Sequence, residues 1–111
     1  MSALIYCPFA DTATAEVIGA QLLDEGLIAC INIGGPIRSL FVWQGEHGEA
    51  EEWPALLKTD ATLLRKAMIR LEDLHPYDSP AILGWPCEAG AATSRWLAGL
   101  DGGRTDERQQ P

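Results

Sequence analysis

The sequence predicts a mixed α+β domain in which helices cover one face of an antiparallel sheet, and three observations carry that reading. Short apolar runs of strand character alternate with stretches of helical periodicity, in the order βαββαβ with one further helix behind. Gly and Pro punctuate most of the junctions between them. The chain has 111 residues, 47% apolar and 22% charged, which suits one domain with its own core and is too apolar for a disordered segment.

Leu4 to Cys7 is short and apolar and runs into Pro8, which cannot donate to a ladder, so it reads as a first strand. Asp11 or Thr12 caps a helix over 12–25, with Ala15, Val17, Ile18, Leu22 and Leu23 at helical spacing and Gly26 as a left-handed stop. From Leu27 to Trp43 a long second strand bends at Gly34-Gly35-Pro36. A turn over 44–48 leads into a third strand over 49–59, where Pro54 lacks an N–H and is expected to face an unpaired edge. Thr59 or Asp60 caps a helix over 61–74 whose apolar face is Leu63, Leu64, Ala67, Met68, Leu71 and Leu74, and Pro76 ends it. Ala81 to Trp85 makes a fourth strand, expected to stop at Pro86, and 91–100 makes a closing helix with Trp96 and Leu97 turned inward. Residues 1–100 thus read as one domain, and the polar tail over 101–111 is expected to be disordered.

This order is the split-βαβ, or ferredoxin-like, arrangement, with an expected strand order of 4-1-3-2 and a long hairpin between strands two and three. It places Cys7 and His75 at one edge of the sheet and Cys87 at the other.

Sixteen acidic residues against eight basic ones give a net charge of -8, the wrong sign for a partner made of phosphates, so no nucleic acid is expected. The apolar run at the N-terminus breaks at Pro8, short of a signal or membrane helix, so no membrane partner and a cytoplasmic location are expected. Cys7, Cys30 and Cys87 are odd in number and widely spaced, which suits free thiols or ligands in a reducing compartment.

No nucleophile motif and no phosphate-cradling GxxxxGK[ST] loop is present, and the chain does not read as an enzyme. Thiolate and imidazole suit copper or zinc, and Cys7 with His75 share an edge. Cys30 lies three strand spacings from Cys87, about 14 Å, so only contact between subunits could join those thiols. His47 sits in an acidic turn with Glu46, Glu49, Glu51 and Glu52, a weaker site. Trp43, Trp53 and Tyr77 are expected to cluster with His75 as amphipathic anchors of an interface. Strands two and three outreach their neighbours, leaving edges for another subunit and favouring a closed ring.

Six pieces then occur in order: Cys7-Pro8; Gly26-Leu27-Ile28-Ala29-Cys30-Ile31-Asn32-Ile33; Trp43-Gln44-Gly45; Glu51-Glu52 with Leu57-Lys58-Thr59; Leu74-His75-Pro76-Tyr77 with Pro80; and Trp96-Leu97. In these pieces the sequence resembles the CutA divalent-cation-tolerance family over residues 3–100. The resemblance implies a ferredoxin-like homotrimer shaped like the PII signal proteins, with binding of copper or another divalent metal ion, a role in the response to metal ion, and no organic cofactor. It places Cys30, Asn32, Trp43, Glu51, Lys58, His75, Tyr77 and Trp96 in clefts between subunits, and Cys7, Cys30 and His75 are the candidate metal ligands. The chain departs from the family at Phe41, where a tyrosine is usual, at Glu46 in place of a lysine, at Asp78 in place of a glutamate, and at Trp53-Pro54 in an aliphatic strand. The alternative is a scaffold or signal module that binds a small anionic metabolite through Lys58, Asn32 and His75, without physiological metal binding.

Overall fold

β1 (Ser2–Phe9) alternates side chains between two environments, and Ala3, Ile5, Cys7 and Phe9 are fully buried. The chain then leaves the strand at Asp11, whose carboxylate accepts the Thr14 N–H at 2.7 Å and caps α1 (Thr12–Asp24). Gly26, with φ +72°, ends this helix in the left-handed conformation that glycine adopts without cost. The computed structural model describes residues 1–102. Asp101 and Gly102, expected in the disordered tail, are pinned instead: the Gly102 N–H donates to the Gly26 carbonyl, and Lys66 Nζ donates to the Gly102 carbonyl. The rest of the expected tail lies outside the described residues.

The expected second strand is two strands, β2 (Cys30–Ile33) and β3 (Ile37–Trp43), joined through Gly34-Gly35-Pro36. Both pair with β4 (Glu46–Asp60). Ile33 pairs with Ala55 and Ile37 with Glu52, so four residues advance on one side against three on the other, the insertion that defines a bulge. The turn between β3 and β4 is the two-residue pair Gln44-Gly45, with φ 51° and 81°, as a type I′ hairpin requires. A 3₁₀ turn (Ala61–Leu63) capped by Asp60 leads into α2 (Leu64–Leu74), then β5 (Leu83–Cys87) and α3 (Ala91–Ala98).

The sheet order is β2-β4-β1-β5, with β3 continuing beside β4. In antiparallel strands the N–H and C=O of one residue point to the same side. The Pro54 carbonyl accepts the Gly34 N–H at 2.7 Å, so the missing Pro54 donor faces the break between β2 and β3, not an open edge as expected. Pro86 lies inside β5 and does not stop it. Leu83, Trp85 and Cys87 alternate toward β1, which turns Pro86 to the free outer edge, where no ladder bond is lost.

The core lies between the sheet and helices α1 and α2, from Ile5, Cys7 and Phe9 through Ile18, Leu22 and Leu57 to Leu71. Two glycines bring these layers close. A Cβ on Gly19 would meet Ile31 at 2.8 Å, and one on Gly84 would meet Met68 Sδ at 2.6 Å. In α3 only Leu97 is buried; Trp96, expected inward, is 51% exposed. The opposite sheet face carries the paired row Asn32, Leu56, Tyr6 and Leu83 beside the row Cys30, Lys58, Leu4 and Trp85. Leu56, Leu83 and Trp85 on it are exposed.

Candidate functional site

β5 begins opposite Tyr6, so β1 runs on past its neighbour and the Pro8 carbonyl faces a vacated ladder position. His75, the residue that ends α2, fills it. Its Nε2 stands 3.0 Å from the Pro8 carbonyl oxygen, and its Nδ1 accepts the Tyr77 N–H at 3.2 Å. The imidazole stacks on Phe9, with ring centroids 4.8 Å apart and planes 17° apart, and meets Tyr77 at 4.6 Å and 56°. Only 6% of His75 is exposed. Tyr77 in turn donates its phenolic O–H to Glu52 at 3.2 Å.

Two groups at this corner are held in their neutral forms. Burial pushes the Cys7 thiol up to about 12, and the Glu52 carboxylate adds to the shift. Tyr77 is raised to about 12, first by desolvation and then by the same carboxylate.

A second group forms on the outer sheet face. Cys30 and Lys58 are direct cross-strand partners, and Asn32 lies two residues on, its Oδ1 3.8 Å from Cys30 Sγ. All three project from the side not covered by α1 and α2. Lys58 pairs with no acidic side chain among the described residues.

The other expected site residues lie apart within one chain. Trp43 sits at the tip of the β3–β4 arm opposite Glu46, seven residues or about 23 Å along β4 from Trp53, so it does not join the His75 cluster. Glu51 is on that arm opposite Arg38, which pairs with Glu49 at 2.6 Å. Trp96 is on the surface of α3. A shallow groove of about 540 Å³ between α2 and β5, lined by Leu64, Met68, Ile69 and Ile82, holds none of them. Cys7, Cys30 and His75 do not assemble a metal centre within the chain: among the described residues no three His, Cys, Asp or Glu side chains converge.

Sequence reasoning missed Phe9 and the Pro8 carbonyl, and it placed Glu52 in the acidic turn with His47, not on the Tyr77 hydroxyl. Phe9 was signalled by period-two continuation from Ile5 and Cys7, whereas nothing local distinguishes Glu52 from its acidic neighbours.

A four-stranded antiparallel sheet backed by two helices, with an extended two-stranded arm and a closing helix, defines a small α+β protein of the βαββαβ type. The CutA1 divalent ion tolerance protein family matches residues 3–99. The chain belongs to that family. It is 40% identical over 80 residues to the divalent-cation tolerance protein CutA of Pyrococcus horikoshii, covering 72% of this chain and 78% of that protein. It is 32% identical over 96 residues to the CutA homolog of Danio rerio, covering 86% of this chain but 63% of that longer protein. The solved structure of the periplasmic divalent cation tolerance protein CutA from Archaeoglobus fulgidus superposes with a TM-score of 0.81 at 31% identity, over 88% of this chain and 96% of the other. No helix among the described residues is long and apolar enough to cross a membrane.

Proposed function

We propose that this chain is a divalent-cation tolerance protein that works as a homotrimer, binding copper or another divalent metal ion in clefts between subunits and acting in the response to metal ion without catalysing a reaction. The observation that carries this reading is the β3–β4 arm. A two-stranded ribbon is marginal alone in water, yet this one exposes Leu40, Phe41, Val42 and Trp43. Burying those side chains against another copy supplies the missing support, and a head-to-tail contact that closes makes a ring. Such a ring brings separate copies' Cys30, Glu51, Trp43 and Trp96 within reach of one another, which a single chain does not. A PII-like signalling role follows from the same architecture. Three free cysteines favour the reducing cytoplasm, although the Archaeoglobus fulgidus relative is described as periplasmic.

Light scattering tests the assembly. A mass three times the 12.0 kDa chain is expected, and a monomer mass removes the clefts. Titration of Cu(I) and Cu(II) into reduced protein tests the ligand: binding tighter than millimolar that weakens in Cys30→Ser is expected, and no binding defeats the metal reading.

One observation favours a second reading. Lys58 presents an ammonium without an acidic partner among the described residues, on an apolar face beside Asn32. A small anionic metabolite would satisfy it. Stabilisation of the protein by nucleotides or small carboxylates in a thermal-shift screen, lost in Lys58→Met, supports this reading; a flat screen counts against it.

A further inference from the structure

The metal reading draws on three donors, Cys7, Cys30 and His75, and the geometry of the β1 corner disagrees with two of them. His75 makes two hydrogen bonds of opposite sense. Tyr77 N–H points at Nδ1, so Nδ1 carries a lone pair and no proton; the Pro8 carbonyl can only accept, so Nε2 carries the proton. The network therefore assigns the neutral Nε2–H form. In this form each ring nitrogen is committed inside the chain. To bind a metal through Nδ1 the imidazole must give up the Tyr77 amide, and to bind through Nε2 it must strand the Pro8 carbonyl in a corner where β5 supplies no donor. The ring is also packed between neighbours, stacked on Phe9 and in tilted contact with Tyr77. Cys7 is fully buried beneath the same segment, its thiol 3.6 Å from the same Pro8 carbonyl.

We infer that His75 is not a metal ligand but a positioning residue. It serves as a surrogate strand at the end of β1 and sets the Tyr77 hydroxyl on Glu52, so that metal ions are held without His75 and without Cys7. The i to i+2 bond from the Tyr77 amide has the shape of an Asx turn, with Nδ1 in the place of an asparagine oxygen. The bond to Pro8 has the place of an absent β5 residue. One imidazole spans both, and no amide side chain of fixed length does so. The part of this inference that concerns metal rests on the binding proposed above; the part that concerns the imidazole does not.

Nitrogen-detected NMR of the metal-free protein tests the second part directly. Two distinct ring shifts with the proton on Nε2, and an Nε2–H cross-peak coupled to the Pro8 carbonyl, are expected; an Nδ1–H form or averaged shifts overturn it. Zn²⁺ or Cu(I) is then added to the reduced protein. The His75 shifts should stay in place, and movement of either ring nitrogen to a metal-bound shift overturns the inference. Two variants split the bridge: His75→Asn keeps an acceptor for Tyr77, and His75→Gln keeps a donor for Pro8. Each is expected to retain metal affinity within about tenfold, the smallest loss typical of groups that support a metal shell, and Cys7→Ala likewise. A larger loss in both His75 variants, with folding intact by circular dichroism, overturns the statement that metal is held without His75. If the unaltered protein binds neither ion, the metal reading fails, while the Nε2–H assignment still decides the role of His75.

Discussion

The Pro8 carbonyl and the His75 Nε2 meet at 3.0 Å across 67 residues of sequence, where one strand of the sheet has outrun its neighbour. The contact ties the end of β1 to the end of α2 and sets the direction in which the chain leaves the helix.

Removing the imidazole leaves a buried carbonyl without a donor and opens a gap over Phe9. His75→Ala is expected to lower stability by about 1–3 kcal/mol from the orphaned acceptor alone. Urea denaturation measures it. A loss under about 0.5 kcal/mol would mean that the carbonyl finds water instead.

The strand alternation in β1, the caps at Asp11 and Asp60 and the bend at Gly34-Gly35-Pro36 were legible because each is a local signal: a period of two, a short polar side chain before an apolar run, a breaker triplet. The corner was not. Phe9 and His75 stack across 65 intervening residues, a contact that no spacing rule encodes, and Trp43 was wrongly grouped with His75 because aromatic character says nothing of distance along an arm. Pro54 and Pro86 misled for one shared reason. A proline disrupts a ladder only on the side its nitrogen faces, and parity along the strand, invisible until the register is known, decides that side.

Alkaline pH should weaken the fold in a defined window. Cys7 and Tyr77 have folded pKa values raised to about 12 from ordinary values of 9.0 and 10.0. In each case the folded state holds its proton where the unfolded chain has lost it. The stabilising contribution is therefore whole below pH 9 and declines as pH climbs toward 12. Urea midpoints taken from pH 8 to 12 should fall, and the double variant Cys7→Ala, Tyr77→Phe should flatten the slope. An unchanged slope would place the alkaline loss elsewhere.

At acid pH the sign reverses. Arg70 Nε and its terminal nitrogen grip the two oxygens of Glu25 at 2.8 Å each, joining α2 to the end of α1, and these hydrogen bonds hold the Glu25 carboxyl below its ordinary 4.5. Its contribution is present above pH 4.5 and is lost as pH falls through the lowered folded value. Glu25→Gln should remove that part of the acid dependence and leave neutral-pH salt sensitivity smaller. Arg70→Lys, which cannot fork, should behave alike. Thermal melts at pH 3 and 7 decide it.

Gly84 lets α2 lie on β5. An added Cβ would sit 2.6 Å from Met68 Sδ and 2.9 Å from Leu64 Cδ1, both ends of flexible side chains. Because those ends can swing aside, Gly84→Ala is expected to cost only about 1 kcal/mol, the low end of overpacking. Combined with Met68→Ala, which vacates the space, the losses should fall short of their sum by at least about 0.5 kcal/mol. Strict additivity in a double-mutant cycle would show that the strand, not the side chain, yields.

The residue inserted between β2 and β3 acts as a parity switch. In β2 the odd-numbered Ile31 and Ile33 lie in register with Leu57 and Ala55 and face the helices; beyond the insertion it is the even-numbered Arg38, Leu40 and Val42 that share the continuing side of β4 with Glu51, Glu49 and His47. Without the extra residue, Phe41 would leave its place over Gly48 and the arm would be turned inside out. Which side chains the arm shows on each of its faces is set, in this sense, by a count of one.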